Sequence, residues 1–156
     1  MNEEYIRDVN YINYLTDKYI QYIGGELTAE NMDRLSADQH TLLAYRYLRD
    51  EVMEGGFIQL IQNGYGPYVL LGPFPMIMKK ELGLKAFGQL CYDASHEYKA
   101  HREDLEQDRT EEEFMALYEK YDTLNEMGDS FLDDFEEEVT PAIAEYVRER
   151  EEKFII

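Results

Sequence analysis

Apolar side chains recur every three or four residues through most of the chain, which is the pattern of helices with one buried face. Residues 3–23 show this spacing first, and residues 84–105 show it over the greatest length. No long segment alternates apolar and polar residues with a period of two, so no sheet is predicted. The pattern predicts an all-α fold, a single-domain bundle of about seven helices over residues 1–156.

Residues typical of helix starts support this prediction. Ser36 and Thr110 are each followed three residues later by Gln or Glu, the spacing of a capping box, in which both side chains bond backbone N–H groups. Thr140 followed by Pro141 resembles an N-cap with proline in the first helical position. We therefore expect helices to begin after Ser36, Thr110 and Thr140.

Glycines interrupt the periodic pattern at the centre of the chain, where four of them fall within twelve residues and a proline follows the last. Glycine adopts positive φ without a Cβ penalty, so Gly55 or Gly56 can end the preceding helix. Phe57 then begins a short apolar helical face. We interpret this stretch as a tight elbow in the middle of the bundle. An alternative remains open, in which Gln59 and Asn63 form a polar pocket.

Composition limits the classes of function. The 156 residues include 14 Tyr and 7 Phe, and 44% are hydrophobic, which is enough to bury a sizeable core. The 34 acidic and 15 basic residues give a net charge of −19, which repels nucleic acid and anionic membranes and favours a cationic protein surface as partner. Strong acidity can also serve solubility alone.

The cysteine content and the lack of signal-peptide and membrane-spanning patterns indicate the cellular compartment. Cys91 is the single cysteine, so an intrachain disulfide is impossible and a reducing environment fits. The first residues are acidic where a signal peptide needs bases, and no apolar run is long enough to span a membrane. We expect a cytoplasmic protein.

No catalytic or cofactor-binding pattern is evident. His96 and His101 lie five residues apart, so they project about 140° apart around a helix, too far to share a metal ion. No glycine-rich loop joins a strand to a helix, so nucleotide binding is not predicted. We expect no cofactor, no metal and no enzymatic activity; an enzyme would need a pocket built around Gln59, Asn63 and buried carboxylates.

Acidic residues cluster in two segments that together hold 13 of the 34 acids. Within residues 103–113 and 129–138, the acids that we expect to bind a partner are Glu103, Asp104, Glu106, Asp108, Glu111, Glu112, Asp129, Asp133, Glu136 and Glu137. A helical wheel at 100° per residue places the last four on one exposed stripe. The wheel puts the apolar side chains of the same segment on a separate, buried face, namely Phe131, Leu132, Phe135 and Val139.

The spacing along this stripe is close to that of a nucleic-acid backbone. Asp129 and Glu137 are separated by about 12 Å of helix, so one carboxylate falls about every 3–4 Å. One DNA strand presents a phosphate about every 3.4 Å. Like charges four residues apart destabilise a helix by a few tenths of a kcal/mol, so an acidic run without bases favours a binding role over decoration.

The central stretch also resembles the signature of a family of small acidic bacterial all-helical proteins, which reads approximately Glu-x-x-Asn-Gly-Gly-Phe-x-Gln-Phe-Phe-x-Asn-Ser-x-Gly. The matching residues are Glu51, Gly55, Gly56, Phe57, Gln59, Asn63 and Gly66. Glu54 and Gly64 replace the usual Asn and Ser, and Leu60-Ile61 replaces the aromatic pair. The resemblance implies an all-helical fold. Because the family includes a DNA mimic, it also implies a DNA-binding protein as partner, and it implies a homodimer.

Two main hypotheses follow. In the first, the protein is an acidic protein-binding module that occludes the basic DNA-binding surface of a regulator. In the second, it is a stress, immunity or scaffold protein whose acidity serves solubility, and its partner contacts the elbow or an aromatic surface. A continuous acidic face in the folded protein favours the first hypothesis over the second.

Overall fold

Helix caps set the boundaries of the first helices. The computed structural model describes residues 2–156. Asn2 caps the first helix by accepting a hydrogen bond from the backbone N–H of Tyr5 at 2.7 Å, and Gly24, with φ of 91°, ends it. Both predicted capping boxes are present, at Ser36 and at Thr110. The helix starts predicted at these two positions are therefore confirmed.

The described residues form eight α-helical segments and no strand. The α-helical segments are α1 (Glu3–Ile23), α2 (Ala37–Gln62), α3 (Gly66–Leu70), α4 (Phe74–Met76), α5 (Lys85–Leu105), α6 (Glu111–Lys120), α7 (Asp122–Ser130) and α8 (Glu136–Arg148). Two π turns, Ile77–Glu81 and Phe131–Phe135, follow α4 and α7, and 3₁₀ turns occupy Met32–Arg34 and Glu151–Lys153. The all-α class is confirmed. The predicted count of about seven is close but not exact, because the eight α-helical segments comprise six longer helices and two very short ones, α3 and α4.

Helix α2 lies at the centre of the bundle, where it packs against α1, α3, α5 and α7, and α1 also packs against α8. Aromatic side chains fill the space between them. Tyr45 stacks on Phe74 with ring centroids 6.4 Å apart, and Phe87 contacts Phe131 at 5.8 Å. The hydrophobic stripes of the long helices therefore meet on α2.

The elbow is a sharp kink inside α2. Gly55 has φ −146° and ψ 17°, and Gly56 has φ 74° and ψ −176°. The backbone of Gly56 lies in a region that is essentially restricted to glycine, although its ψ is not that of the left-handed helix expected from the sequence. The predicted positive φ is confirmed at Gly56 and not at Gly55.

Helix α7 crosses the kink at very short range. A Cβ added to Gly128 would lie 3.1 Å from the Cα of Gly56 and 3.4 Å from the backbone nitrogen of Phe57. Two glycines in contact let the backbones of α2 and α7 approach closely, and the elbow therefore fixes the position of α7.

The predicted start of the last helix at Thr140 is wrong. Helix α8 begins at Glu136 and continues through Pro141. Thr140 is buried, and its Oγ1 donates to the Glu136 carboxylate at 2.8 Å while lying 2.6 Å from the Tyr45 hydroxyl. The Thr140 side chain is engaged in core contacts and does not cap a helix.

Within residues 2–156, no helix combines the length and the apolarity that a membrane crossing requires.

Candidate functional site

The polar residues of the elbow bond to one another across the kink. The Glu51 carboxylate accepts a hydrogen bond from Gln59 Nε2 at 2.6 Å and another from Asn63 Nδ2 at 3.0 Å. The Tyr118 hydroxyl on α6 donates to the backbone oxygen of Gly55 at 2.6 Å. These bonds join the two halves of α2, so they favour the structural interpretation of the elbow over the polar-pocket alternative.

The remaining signature residues are also structural. Phe57 is fully buried in the core. A Cβ at Gly66 would lie 2.6 Å from the Tyr98 ring, so glycine leaves the space that this ring occupies. The signature therefore encodes the scaffold, and the candidate functional surface lies elsewhere.

An acidic ridge extends from the end of α7 through the second π turn into α8. We use this name for five exposed carboxylates: Asp129, Asp133, Asp134, Glu137 and Glu138. None of the five lies within 4.0 Å of a basic group in the described part of the chain. The ridge therefore presents only negative charge to the solvent.

The structure corrects the sequence prediction at Glu136, which is buried with 3% of its surface exposed. Its carboxylate accepts hydrogen bonds from Arg49 Nε at 3.0 Å, from Thr140 Oγ1 at 2.8 Å and from the Tyr5 hydroxyl. Burial opposes ionisation of Glu136, but these hydrogen bonds and the Arg49 charge outweigh it and hold the pKa of the carboxyl below its usual value. Glu136 joins α1, α2 and α8 and is not accessible to a partner.

The π turn Phe131–Phe135 explains the error. Its hydrogen bonds run from residue i to i+5, so the turn contains one more residue than an α-helical turn. Side chains beyond it are displaced by about 100° from the predicted wheel. This shift moves Glu136 onto the buried face and brings Glu138 onto the exposed stripe. Leu132, predicted to be buried, is 37% exposed.

The wheel consequently missed two ridge residues, Asp134 and Glu138. They lie four residues apart, and that spacing indicates a shared helical face in the sequence alone. The wheel assigned them elsewhere because it assumed a regular α-helix throughout the segment.

The first acidic segment forms the corner between α5 and α6, and it is partly neutralised from within. Asp104 accepts hydrogen bonds from Lys120 Nζ at 2.7 Å and from the Tyr121 hydroxyl and Arg109, and these lower the pKa of its carboxyl. Glu106 bonds to the Tyr98 hydroxyl and to Arg102 Nε, the latter at 2.9 Å. The predicted partner-binding acids that remain exposed here without a basic neighbour are Glu103, Asp108, Glu111 and Glu112.

Internal ion pairs engage only a small share of the charge. Seven of the 34 carboxylates lie within 4.0 Å of a basic group in the described part of the chain, which leaves 27 without one. The surface is therefore strongly negative, and the two segments predicted from the sequence contribute a substantial part of that charge.

A cleft of about 460 Å³ extends the ridge toward α1. Glu137 from the ridge lines it together with Glu4, Asp8 and Glu145. Arg7 and Arg148 also line the cleft, and Arg148 pairs with Asp8 at 2.7 Å. The four acids outnumber the two arginines, so the groove between α8 and α1 carries a smaller net negative charge than the ridge.

Comparison with known proteins gives two findings. The sequence profile of a family described as DMP19-like protein matches residues 33–150. The chain is also 30% identical over 126 residues to the DNA mimic protein DMP19 of Neisseria meningitidis serogroup B (strain ATCC BAA-335 / MC58), over 80% of this chain and 75% of that protein. The profile match spans the elbow, the α5–α6 corner and the ridge.

Proposed function

The chain belongs to the DMP19-like protein family, and on that basis we propose that it acts as a DNA mimic that occludes the basic surface of a DNA-binding protein. Its carboxylates take the place of DNA phosphates against Lys and Arg side chains of the partner. The protein performs no catalysis in this role and does not bind nucleic acid itself. The partner's work on DNA places the activity in the cytoplasm.

The acidic ridge is the observation that carries this proposal. From Asp129 to Glu138 the helix rises about 14 Å, over which five exposed carboxylates follow one another. Four intervals over this rise give a mean axial spacing of about 3–4 Å, which is close to the 3.4 Å between phosphates along one DNA strand. A basic protein groove that binds a DNA strand therefore meets a comparable line of negative charge on this ridge.

The α5–α6 corner contributes a second group of charges, from Glu103, Asp108, Glu111 and Glu112. Asp104 supports their arrangement because it connects the corner to Lys120 and Tyr121, immediately before α7. The corner and the ridge belong to helices that pack against each other, since α6 contacts α7. We assign partner binding to both, and the ridge residues are the first to test.

The test compares two variants with the same change in charge. The ridge variant changes Asp129, Asp133 and Asp134 to Asn and Glu137 and Glu138 to Gln. The control variant neutralises five other exposed acids in the same way: Glu30, Asp33, Glu54, Glu81 and Glu149. DNA-binding proteins are first enriched on DNA-cellulose from bacterial cytoplasm and then passed over the immobilised parent protein. A retained protein is purified and titrated with the parent, the ridge variant and the control variant.

We expect the ridge variant to bind the retained protein about tenfold more weakly or worse, chiefly through slower association, and the control variant to bind nearly as the parent does. Duplex DNA should displace the partner from the parent protein. Binding should also weaken steeply with salt, because exposed charges are screened over about 8 Å at physiological ionic strength. Equal binding by both variants, or simultaneous binding of DNA, would show that the acidity serves solubility, as in the second hypothesis.

A further inference from the structure

A second surface feature of the protein is an apolar groove of about 1060 Å³, which lies between the segment after α1, the first half of α2, and α3–α4. The side chains that give it its character are Leu27, Tyr47, Tyr65, Tyr68, Phe74 and Ile77. Neither the ridge nor the α5–α6 corner contributes to it. The groove is therefore separate from the surface assigned to DNA mimicry.

Three tyrosines form its aromatic floor. Tyr47 stacks on Tyr65 with ring centroids 4.5 Å apart, and it meets Tyr68 edge-to-face at 6.1 Å. The Tyr68 hydroxyl lies 2.7 Å from His40 Nδ1, and His40 Nε2 lies 2.6 Å from the backbone oxygen of Met32. These contacts hold the rings in place, so their apolar faces are presented in a fixed arrangement.

The opposite wall is also rigid. Asn31 is buried, and its Nδ2 donates to the backbone oxygens of Ile23 and Glu26 at 3.0 Å and 2.7 Å. Its Oδ1 accepts from the backbone N–H of Thr28 at 2.8 Å. One buried amide thus ties the segment after α1 into a defined shape, and the groove is formed before anything binds, as in most binding sites.

The groove carries negative and no positive charge. Among the described residues that line it there is no Lys or Arg, and its one carboxylate is that of Glu26. Asn63 also lines the groove, and its side-chain amide donates a hydrogen bond to the Glu51 carboxylate at 3.0 Å, so Glu51 lies next to the groove. Burial, and then the charges of Glu51, Glu26 and Asp50, raise the pKa of the Tyr65 phenol above its ordinary value. The negative potential therefore reaches the aromatic floor.

We propose that this groove binds a cationic amphipathic peptide segment of a partner protein. Apolar side chains of the segment lie against Tyr47, Tyr65 and Ile77, and its Lys or Arg groups face Glu26 and Glu51. Aromatic faces also attract cations directly. The volume reaches the top of the range of about 300–1,000 Å³ for small-molecule pockets, which fits several side chains of a peptide. A second copy of this chain, with its own charge of −19, is poorly matched to an acidic groove.

The probe is a fluorescent 14-residue helical peptide of leucine and lysine, with leucines on one face, measured by anisotropy at physiological salt. Two further peptides replace lysine with glutamate, or leucine with glycine. We expect the leucine–lysine peptide to bind at least about tenfold more tightly than either, since the groove needs both apolar and cationic groups. Equal binding of the glutamate peptide, or of the glycine peptide, overturns the proposal.

Two pairs of variants locate the site. Ala29→Arg places a positive charge at the groove, whereas Ala86→Arg makes the same change at an exposed position outside it. Glu26→Gln removes the groove carboxylate, whereas Glu30→Gln removes an exposed acid that does not line the groove. We expect only Ala29→Arg and Glu26→Gln to weaken peptide binding, by about tenfold and severalfold respectively.

Equal weakening within each pair would show non-specific attraction to an acidic protein and refute the assignment. Sedimentation of the parent and of Ala29→Arg tests whether a second copy of this chain occupies the groove instead. If the parent is a dimer and Ala29→Arg is a monomer, the groove binds a second copy and the peptide proposal is refuted. The ridge variant should bind the peptide nearly as the parent does. The peptide-binding proposal and the DNA-mimic proposal can therefore be refuted independently of each other.

Discussion

Replacing Gly56 with alanine tests whether the elbow depends on backbone conformation. At φ 74° and ψ −176° the backbone lies in a region that costs other residues about 1–3 kcal/mol. A Cβ at this position meets no atom within 4 Å, so steric contact adds nothing to that cost. We expect Gly56→Ala to lower the free energy of unfolding by about 1–3 kcal/mol, and the melting temperature of a chain of this size by about 2–12 °C.

Gly55 provides a matched comparison with a different physical cause. Its φ of −146° is accessible to any residue, but a Cβ would lie 2.1–2.7 Å from atoms of the Gln59 side chain. Gly55→Ala therefore forces Gln59 away from Glu51, to which it donates at 2.6 Å, and we expect a loss of about 1–2 kcal/mol. Adding Gln59→Ala removes the clashing amide but keeps the Cβ, which would lie 2.7 Å from the new Cβ, so it should relieve only part of the extra cost of Gly55→Ala and should leave that of Gly56→Ala unchanged.

The assay is guanidinium unfolding followed by circular dichroism, with a thermal melt of each variant and of the Gln59→Ala single variant as reference. A shift of the midpoint at constant m-value reports a change of stability alone. The reasoning is refuted if Gly56→Ala melts with the parent, or if Gln59→Ala relieves both glycine substitutions equally, since backbone strain at Gly56 does not depend on a side chain at position 59.

Three further changes test other contacts. Glu136→Gln leaves the Arg49 side chain, which is 15% exposed, without its carboxylate, and urea unfolding at pH 7 should show a loss of about 3 kcal/mol. Because the pKa of Glu136 is lowered in the folded state, this contribution is present above the ordinary carboxyl pKa and is lost as pH falls below it. The difference from the parent should therefore shrink as pH falls below about 4.3, and a constant difference contradicts this. Gly128→Ala should lower the free energy of unfolding by about 1–3 kcal/mol, measured in thermal melts, because the added methyl group overpacks against Gly56. An unchanged stability would show that α2 and α7 can move apart at little cost. Tyr118→Phe removes the donor to Gly55 and should cost about 1 kcal/mol, and a stabilising effect would contradict that bond.

Local patterns in the sequence predicted the helical fold and the elbow because both depend on short-range causes. The capping boxes at Ser36 and Thr110 place two helix starts, since a side chain satisfies N–H groups that the helix leaves free. Gly56 marks the kink because other residues are strained at its φ and ψ. These effects involve neighbours in sequence and need no knowledge of the rest of the fold.

Tertiary packing decided what the sequence did not predict. The N-cap predicted at Thr140 does not form because the Thr140 hydroxyl is hydrogen-bonded in the core to Tyr45, which is distant in sequence. The π turn before α8 packs Phe131 against Phe87 of α5, and a wheel of fixed period has no means of including such a turn. The groove tyrosines were missed for the same reason, since Tyr47 reaches Tyr65 and Tyr68 only after the chain turns at the elbow.

The elbow packs directly against the helix that leads into the ridge. Gly128 packs on Gly56, and Asp129, the first ridge residue, follows it immediately. The conformation of α2 at the glycines therefore sets the position from which the ridge extends, while the buried Glu136–Arg49 pair fixes α8 at its other end. The signature residues lie at the elbow and contribute no ridge charge, so they preserve the geometry that displays the acids. Under the proposed function, partner choice depends on the number and spacing of the exposed carboxylates, which can change by surface substitution without disturbing the scaffold.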